Sequence, residues 1–310
     1  MTYEPHAESL RRHITPFSAA AVTHVGASAF PLSERETEQL VRAALDEDAA
    51  FHDVSTLATV VSDRHVRASL VARRPGVIAG VPLACEAFRL LDDRLSVRVE
   101  HADSTHVDAG DVVLRLNGHA RAMLSAERVA LNFMQHLSGV ASLTAEFVAA
   151  VAGTSARILD TRKTTPGWRK LEKYAVLMGG GDNHRFDLRS GVLIKDNHLS
   201  SIGGDIAMAV QRARGIAAPG TMIQVECDTL AQVQLALDAQ ADAILLDNMS
   251  LQQLRDAVSL CDGRALTEAS GGVTLETVGA IAECGVHRIS VGALTHSAPA
   301  LDLALDFDGL

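Results

Sequence analysis

Cysteine and aromatic residues are scarce in this chain of 310 residues. Its four cysteines include no pair at CxxC spacing, which argues against a zinc knuckle or a dithiol redox motif. We expect buried, reduced thiols and a cytoplasmic location. Aromatic residues make up 4% of the chain, too few for a platform on which nucleic-acid bases stack. The net charge of −10 also argues against nucleic acid or an anionic membrane surface as a partner.

Long apolar runs are also missing. No uncharged apolar run approaches the ~20 residues that a helix needs to cross a bilayer, so we expect no membrane association. Two arginines precede a short apolar stretch near the N-terminus, as in a signal peptide, but Glu4 and Glu8 lie where such a peptide is basic. We therefore interpret residues 1–33 as a mobile extension and not as a secretion signal.

The remaining chain is long enough for about two domains, and its hydrophobic content of 47% is ample for packed cores. Ser33 followed by Glu36 predicts the capped start of a first helix. A second helix is predicted from Ser125 to about Val151, because apolar residues recur there at helical spacing. Between the two helices, short apolar runs punctuated by glycine predict a small α+β domain with an antiparallel sheet. These runs are Val66–Ala72, Val77–Ala79, Leu95–Glu100 and Val112–Leu116.

From residue 155 onwards the pattern changes to alternating short strands and amphipathic helices. Repeated βα units predict a parallel sheet with right-handed crossovers. A closed TIM barrel needs eight strands, whereas six are visible, so either two strands are hidden or the barrel is incomplete. The six predicted strands are Ile158–Leu159, Val192–Ile194, Met222–Val225, Ala243–Leu246, Ala265–Leu266 and Arg288–Val291.

Polar residues stand where these strands stop. A charge at the end of a buried strand is costly unless it is solvated or paired, and the carboxyl ends of barrel strands line active sites. Polar residues also simply begin loops, but five charges in the same register favour a shared polar pocket. The six residues at or next to the strand ends are Asp160, Lys195, Glu226, Asp247, Glu268 and Gly292.

Five cationic or potentially cationic side chains gather at the same end of this acidic protein. Any one of them could be a solvated loop cation, but together they indicate a substrate with several negative charges. Arginine suits planar carboxylates, and lysine acts as a point charge on phosphate. The five are Arg162, Lys163, His184, Arg185 and Lys195.

Glu226 and Asp247 end consecutive strands, so we expect their carboxylates to lie close together. Such a pair could bind Mg²⁺, face a developing positive charge or hold ribose hydroxyls. A structural ion pair with Lys163 or Lys195 is an equally good interpretation of either carboxylate alone.

Glycine-containing turns follow the last two strands. Ser270, Gly271 and Gly272 precede a helix that begins near Thr274, and Gly292 with Ala293 follows the sixth strand. Such turns after the late strands of a barrel, one of them feeding a helix N-terminus, suit a phosphate. A plain strand-to-helix turn is the alternative.

Several long motifs, in order, closely resemble the quinolinate phosphoribosyltransferase family, also called nicotinate-nucleotide pyrophosphorylase (carboxylating). The match runs from about residue 37 to the C-terminus. The departures are the N-terminal extension and two mild ones, Val140 and Ser142, where the family often has Ile and Thr. The motifs are ALDED at 44–48, DVST at 53–56, ERVALN at 127–132, LSGVA at 137–141, DTRKTTPG at 160–167, GGGDNHR at 179–185, LIKDNH at 193–198, ILLDN at 244–248 and EASGG at 268–272.

The resemblance implies an α/β fold in which an N-terminal α+β sandwich domain precedes an incomplete TIM-like α/β barrel. On this basis we place the sandwich at residues 34–135 and the barrel at 136–293. Residues 294–310 would form a tail that returns to the first domain.

The resemblance also implies the reaction of quinolinate with phosphoribosyl pyrophosphate in de novo NAD synthesis, with Mg²⁺ as cofactor. The products are nicotinate mononucleotide, pyrophosphate and CO₂. It implies a homodimer or a higher homo-oligomer in which Arg128 completes the partner's active site.

The implied roles agree with the chemistry inferred from the residues. Arg162, His184 and Arg185 would bind quinolinate, and Ser270, Gly271, Gly272, Gly292 and Ala293 would bind the 5′-phosphate. Lys163 and Lys195 would meet the pyrophosphate, while Glu226 and Asp247 would stabilise positive charge on the ribose or hold its hydroxyls. Mg²⁺ would be held mainly through the pyrophosphate, with Glu226 and Asp247 as candidate ligands.

Three other functions stay open at this point. A relative that takes nicotinate would need fewer cations around the ring. A paralogue would use another acceptor base, and a silent binder would sense a phosphorylated ligand without turnover. The full set of charges at the strand ends argues against the silent binder, because binding alone rarely needs both carboxylates.

Overall fold

The computed structural model describes residues 30–308, so the predicted N-terminal extension lies, up to residue 29, outside the described residues. The first helix begins with the predicted capping box, in which the Ser33 hydroxyl accepts from the Glu36 backbone N–H and the Glu36 carboxylate accepts from the Ser33 N–H. The elements before the long central helix are α1 (Glu34–Glu47), a 3₁₀ turn (Ala50–His52), α2 (Val54–Thr59), β1 (His65–Ala72), β2 (Gly76–Val77), α3 (Val81–Leu91), β3 (Ser96–Val99), β4 (His106–Val107) and β5 (Val112–His119).

Helix α4 (Ala120–Ala150) has 31 residues, about 45 Å of helix, and connects the two parts of the fold. The prediction that it begins at Ser125 was wrong. Strand β5 runs to His119 and the chain enters the helix without a loop, and the first turn of the helix buries Ala120, Ala122 and Met123. The predicted domain boundary at 135/136 therefore falls inside a continuous helix.

The first sheet is antiparallel, as predicted, with strand order β12-β1-β5-β3. Its outer strand β12 (Leu303–Phe307) comes from the C-terminal tail and pairs with β1. The tail is also tied to α4, because Gln135 Nε2 donates to the Leu303 carbonyl over 2.8 Å. The predicted strand Val77–Ala79 is only partly correct, since β2 ends at Val77 and forms a separate two-stranded sheet with β4.

The second part alternates strands and helices, as predicted. Its six strands form one parallel sheet with the order β6-β11-β10-β9-β8-β7. The elements are β6 (Arg157–Leu159), α5 (Arg169–Met178), β7 (Val192–Ile194), α6 (Asp196–Ser200), α7 (Ile206–Ile216), β8 (Ile223–Cys227), α8 (Leu230–Asp238), β9 (Ala243–Asp247), α9 (Leu251–Cys261), β10 (Leu266–Ser270), α10 (Leu275–Ala282), β11 (Arg288–Ser290) and α11 (Ala293–His296).

The order of this sheet explains why only six strands are visible in the sequence. The last strand, β11, pairs with the first, β6, as in a barrel, but β6 and β7 do not pair with each other within the described chain. A single bridge between Leu159 and Asp182 extends the sheet beyond β6. The sheet is thus wound like a barrel that stays open between its first and second strands.

The cysteines are free, as predicted, with Cys227, Cys261 and Cys284 buried and Cys85 half-buried. Burial raises the pKa of Cys227 to about 12, which keeps this thiol protonated at neutral pH. Among residues 30–308, no helix combines the length and the apolar character needed to cross a membrane.

Candidate active site

A cavity of about 740 Å³ opens at the carboxyl ends of the parallel strands. Every residue predicted from the sequence to bind substrate, phosphate or metal lines it, except Arg128. Its charged and phosphate-site members are Arg162, Lys163, His184, Arg185, Lys195, Glu226, Asp247, Glu268, Ser270, Gly271, Gly272, Gly292, Ala293 and His296.

Polar residues of the strands reach the cavity by alternation. Side chains of a strand point to opposite faces in turn, so residues two apart share a face. Glu226 and Glu268 lie inside β8 and β10, not after them, because both strands continue past the apolar runs seen in the sequence. Their neighbours Val225 and Ala269 are buried, while the two glutamates face the cavity.

Asp160 does not join the shared pocket that its position after β6 predicted. Its carboxylate is fully buried and pairs with Lys173 of α5, which is itself 1% exposed. Burial raises the pKa of Asp160 and lowers the pKa of Lys173, because each charge has lost its water. The pair supports the following loop, since Asp160 accepts from the His184 backbone N–H and Lys173 donates to the His184 carbonyl.

Arg162 and Arg185 place two guanidinium groups at the cavity wall with no carboxylate between them. The buried Nε of Arg162 has no hydrogen-bond partner among the described residues. Arg185 donates to the Gly191 carbonyl over 2.9 Å, and burial together with the positive charge of Arg162 lowers its pKa. Two cations therefore lie close together, and one of them keeps a buried N–H without a partner. Such a pair suits a ligand with two negative groups.

His184 lines the same cavity and contacts both Arg185 and Glu268. Its Nδ1 accepts from the Arg185 backbone N–H over 2.8 Å, and its Nε2 lies 3.3 Å from Oε1 of Glu268. Glu268 is 1% exposed, and its other oxygen accepts from Gln224 over 3.0 Å.

Lys195 and Glu226 form an ion pair, with 2.7 Å between Nζ and Oε2. One of the alternatives left open by the sequence is therefore realised in the ligand-free site. Asp247 accepts from the amide of Asn248 over 2.6 Å. The ion pair at the cavity wall holds a cation that could meet a phosphate and an anion that could face positive charge.

Glu226 and Asp247 fit an Mg²⁺ ion that a substrate brings with it. Mg²⁺ is usually bound through one or two carboxylates together with substrate phosphates. No group of three or more metal-ligating side chains exists among residues 30–308, so these residues form no all-protein cage. The donor set thus matches a metal shared with a phosphorylated ligand.

The turn formed by Ser270, Gly271 and Gly272 at the end of β10 requires glycine at position 271. Gly271 has a φ of +94°, and a Cβ there would lie 2.2 Å from the side-chain oxygen of Asn248. Gly292 is less crowded, since a Cβ there would lie 3.1 Å from Nε2 of His296 and 3.2 Å from Cδ of Lys163. Both turns leave the backbone bare, so that backbone N–H groups can approach a phosphate.

The loop that carries Arg162 and Lys163 is held from two sides. The Thr295 hydroxyl donates to the Lys163 carbonyl over 2.7 Å. On the other side the buried Glu172 of α5 accepts from the Thr165 N–H over 2.9 Å and from His136 of α4 over 3.0 Å.

Several residues at or beside the cavity were given no site role from the sequence, among them Gln224, Asn248 and His296. Glu268 was predicted to face the shared pocket as a charge at a strand end, but it was given no role in binding or catalysis. Glu268 and Asn248 belong to the quoted motifs. Gln224 and His296 carried no signal, because an uncharged strand residue and a helical histidine are common elsewhere.

Arg128 does not reach this cavity in its own chain. It lies on α4, is exposed, and its side chain makes no hydrogen bond or ion pair with any residue between 30 and 308.

Two family models together match nearly all of the described chain. The family model for the quinolinate phosphoribosyl transferase N-terminal domain matches residues 53–138, and the model for the C-terminal domain matches residues 140–306. The nicotinate-nucleotide pyrophosphorylase [carboxylating] of Mycobacterium leprae is 44% identical over 86% of this chain and 95% of its own length. The probable enzyme of the same name from Bacillus subtilis is 42% identical over 84% of this chain and 89% of its own.

A solved structure agrees with these relatives. The nicotinate-nucleotide pyrophosphorylase of Francisella tularensis superimposes with a TM-score of 0.84 and 35% identity. The superposition covers 91% of this chain and 99% of that one. The two parts of the fold are therefore arranged much as in that structure.

Proposed function

Because the chain belongs to the quinolinate phosphoribosyl transferase family, we propose that it joins quinolinate to phosphoribosyl pyrophosphate and removes one carboxylate. The products are nicotinate mononucleotide, pyrophosphate and CO₂, in de novo NAD synthesis. The observation that carries this proposal is the pair of cavity arginines, Arg162 and Arg185, with the unpartnered Nε of Arg162. Two planar cations match the two carboxylates of quinolinate, whereas nicotinate offers only one.

The phosphorylated substrate would occupy the other side of the cavity. Its 5′-phosphate fits the bare turns at Gly271 and Gly292, where backbone N–H groups can approach it. Its pyrophosphate would meet Lys163 and Lys195, which line the same cavity as point charges. This arrangement leaves C1 of the ribose between the pyrophosphate and the ring nitrogen of quinolinate.

Glu226 and Asp247 supply negative charge to the reacting centre. As the bond to pyrophosphate breaks, C1 becomes oxocarbenium-like, and a carboxylate placed beforehand stabilises that charge without reorganisation. Lys195 holds Glu226 in place through their ion pair and can also face the leaving pyrophosphate. Glu226 and Asp247 would also hold Mg²⁺, which when bound with the substrate neutralises charge on the pyrophosphate.

Decarboxylation needs little acid–base help from the protein. Once the ring nitrogen carries the ribose, its positive charge stabilises the carbanion that forms when the adjacent carboxylate leaves as CO₂, and this carbon then takes a proton from water to give nicotinate mononucleotide. The arginines then serve mainly to position the ring.

We also propose that the active enzyme is a homodimer or a higher homo-oligomer in the cytoplasm. The exposed Arg128 lies outside the cavity of its own chain and is free to enter the cavity of a partner. There it would add a further cation and help to exclude water from the reacting anions. The four free thiols support a reducing compartment.

The test of the activity is a comparison of two acids. Purified protein with Mg²⁺ and phosphoribosyl pyrophosphate should convert quinolinate to nicotinate mononucleotide and release one CO₂ for each nucleotide. Nicotinate should react with a much lower kcat/KM, because it leaves one arginine without a carboxylate. Comparable kcat/KM values for the two acids would refute the proposal.

A further inference from the structure

Glu268 is a buried acid that the reaction described above does not use. It lies in the middle of β10, faces the cavity and is 1% exposed. Its Oε2 accepts from Gln224, whereas Oε1 has no full hydrogen bond and faces Nε2 of His184 at 3.3 Å. A buried carboxylate with one oxygen that lacks a hydrogen bond needs a physical explanation, because burying a charge without a partner costs free energy.

The hydrogen bonds of His184 define where its ring proton sits. Nδ1 accepts from the Arg185 backbone N–H over 2.8 Å, so Nδ1 carries no proton and Nε2 carries it. Nε2 then lies 3.3 Å from Oε1 of Glu268 with its proton, a close polar contact that falls short of full hydrogen-bond geometry. An ionised carboxylate only accepts hydrogen bonds, so it stabilises this tautomer and no other.

Glu268 is held in the ionised form. Burial raises its pKa, but the adjacent His184 and hydrogen bonds from Gln224 and Ser290 outweigh burial and hold the pKa below its usual value. The acceptor is therefore present across the neutral pH range.

We propose that Glu268 is a positioning residue that fixes the His184 ring with its proton on Nε2, so that Nδ1 holds the Arg185 backbone and Arg185 faces the quinolinate site. The inference rests on the proposed function for its kinetic readout. The chain of contacts runs from Glu268 through both ring nitrogens to the N–H of Arg185. The backbone of His184 is already held by Asp160 and Lys173, which leaves the ring as the part that Glu268 controls.

The first test uses two variants of different severity. Glu268→Met removes the acceptor, and Glu268→Gln keeps the shape and can still present one amide oxygen to His184. We expect KM for quinolinate to rise on the order of tenfold in the methionine variant and less in the glutamine variant, while KM for phosphoribosyl pyrophosphate stays near the wild-type value. The exposed Glu283→Gln is the matched control and should change neither constant.

The second test asks whether Glu268 acts through His184. In a His184→Gln background, Glu268→Gln should add no further increase in KM for quinolinate, because the ring it positions is gone. An independent increase in that background would overturn the proposal, since Glu268 would then act on the substrate or on the fold directly.

The third test does not depend on activity. The ¹⁵N shifts of the His184 ring, assigned by their loss in His184→Gln, should report a single tautomer with the proton on Nε2. Glu268→Met, which removes the acceptor, should introduce the other tautomer. A wild-type ring protonated on Nδ1, or a ring unchanged in the variant, would overturn the proposal even in a protein that turns over quinolinate. An inactive wild-type protein with the expected ring signature would count against the proposed reaction alone.

Discussion

Arg162 and Arg185 illustrate how single residues are prepared for a ligand. Arg185 is anchored by the Gly191 carbonyl, and the nearby positive charge of Arg162 adds to burial in lowering its pKa. Neither arginine forms an ion pair with a described acidic residue, while Lys195 has its own carboxylate in Glu226. The site thus keeps its planar cations available for substrate, while Lys195 is neutralised by Glu226.

For quinolinate binding, the paired N–H groups of the planar Arg162 guanidinium should matter more than its positive charge alone. Arg162→Lys keeps a cation but loses the paired N–H groups, so KM for quinolinate should rise about 10- to 100-fold while kcat changes less. Steady-state kinetics with quinolinate varied and phosphoribosyl pyrophosphate saturating give the two constants. Arg189→Lys is the control, because the Arg189 side chain is 92% exposed and pairs with the neighbouring Asp187. A normal KM in Arg162→Lys would rule out bidentate binding by this residue.

Glu226 should act on the transition state. Glu226→Gln keeps the size of the side chain but removes its charge, so kcat should fall roughly 100- to 1000-fold, with a smaller change in KM. Single-turnover rates separate this effect from product release. If kcat is retained and only KM for phosphoribosyl pyrophosphate rises, Glu226 positions the ribose and does not stabilise charge.

At the scale of elements, the active-site loop depends on the junction of α4 and α5. Glu172 of α5 receives hydrogen bonds from Thr165 in the loop and from His136 on α4, and its side chain is fully buried. Phe133 and Trp168 stack beside it with 5.2 Å between ring centroids. One buried carboxylate thus joins two helices to the loop that carries Arg162 and Lys163.

The junction should make stability depend on pH. Burial raises the pKa of Glu172, but the bonds from His136 and Thr165 outweigh it and hold the pKa below the usual 4.5. A lowered pKa stabilises the fold above pH 4.5, and this contribution is lost as the pH falls towards the folded value. Glu172→Gln should reduce the free energy of unfolding by about 1–2 kcal/mol at pH 7 and by less at pH 3.

Urea unfolding of both proteins at pH 7 and pH 3 measures this difference. Glu146→Gln is the control, since Glu146 lies exposed on α4 and makes no hydrogen bond or ion pair with residues 30–308. A deficit in Glu172→Gln that is equal at both pH values would mean that packing, and not ionisation, explains the loss.

The helices and strands also show which features of the fold and of the site can be predicted from the sequence. The parallel sheet and the polar cavity followed from βα alternation and from charges next to apolar runs, because both are local patterns. The burial of Asp160 and the roles of Glu172 and Glu268 could not be predicted in that way. Asp160 pairs with Lys173, Glu172 with His136, and Glu268 contacts His184. His136 lies 36 residues from Glu172 along the chain, and His184 lies 84 residues from Glu268.

At the scale of the whole molecule, the two parts of the fold are interlocked. Helix α4 runs through both, and the tail strand β12 returns to pair with β1 of the first sheet. The α+β part therefore carries Arg128 on a long helix that is fixed relative to the barrel-like sheet. Such a rigid arm suits a contact with a second copy of the chain.

Subunit mixing tests whether Arg128 acts across a dimer. Arg128→Ala and Lys163→Ala should each be nearly inactive, and their heterodimer should regain activity towards half that of a wild-type dimer. If Arg128 acts in the partner's site, one site of the heterodimer contains both substitutions and the other contains neither. If Arg128 acts in its own chain, each site carries one lesion, and confirmed heterodimers will stay inactive.

The most direct measurement is a crystal structure of the protein with quinolinate bound. The account predicts that one carboxylate meets the guanidinium of Arg162, including its buried Nε, and that the other meets Arg185. The ring nitrogen should face the side of the cavity that holds Glu226 and Asp247. A quinolinate that leaves either arginine without a carboxylate, or that binds outside this cavity, would contradict the account.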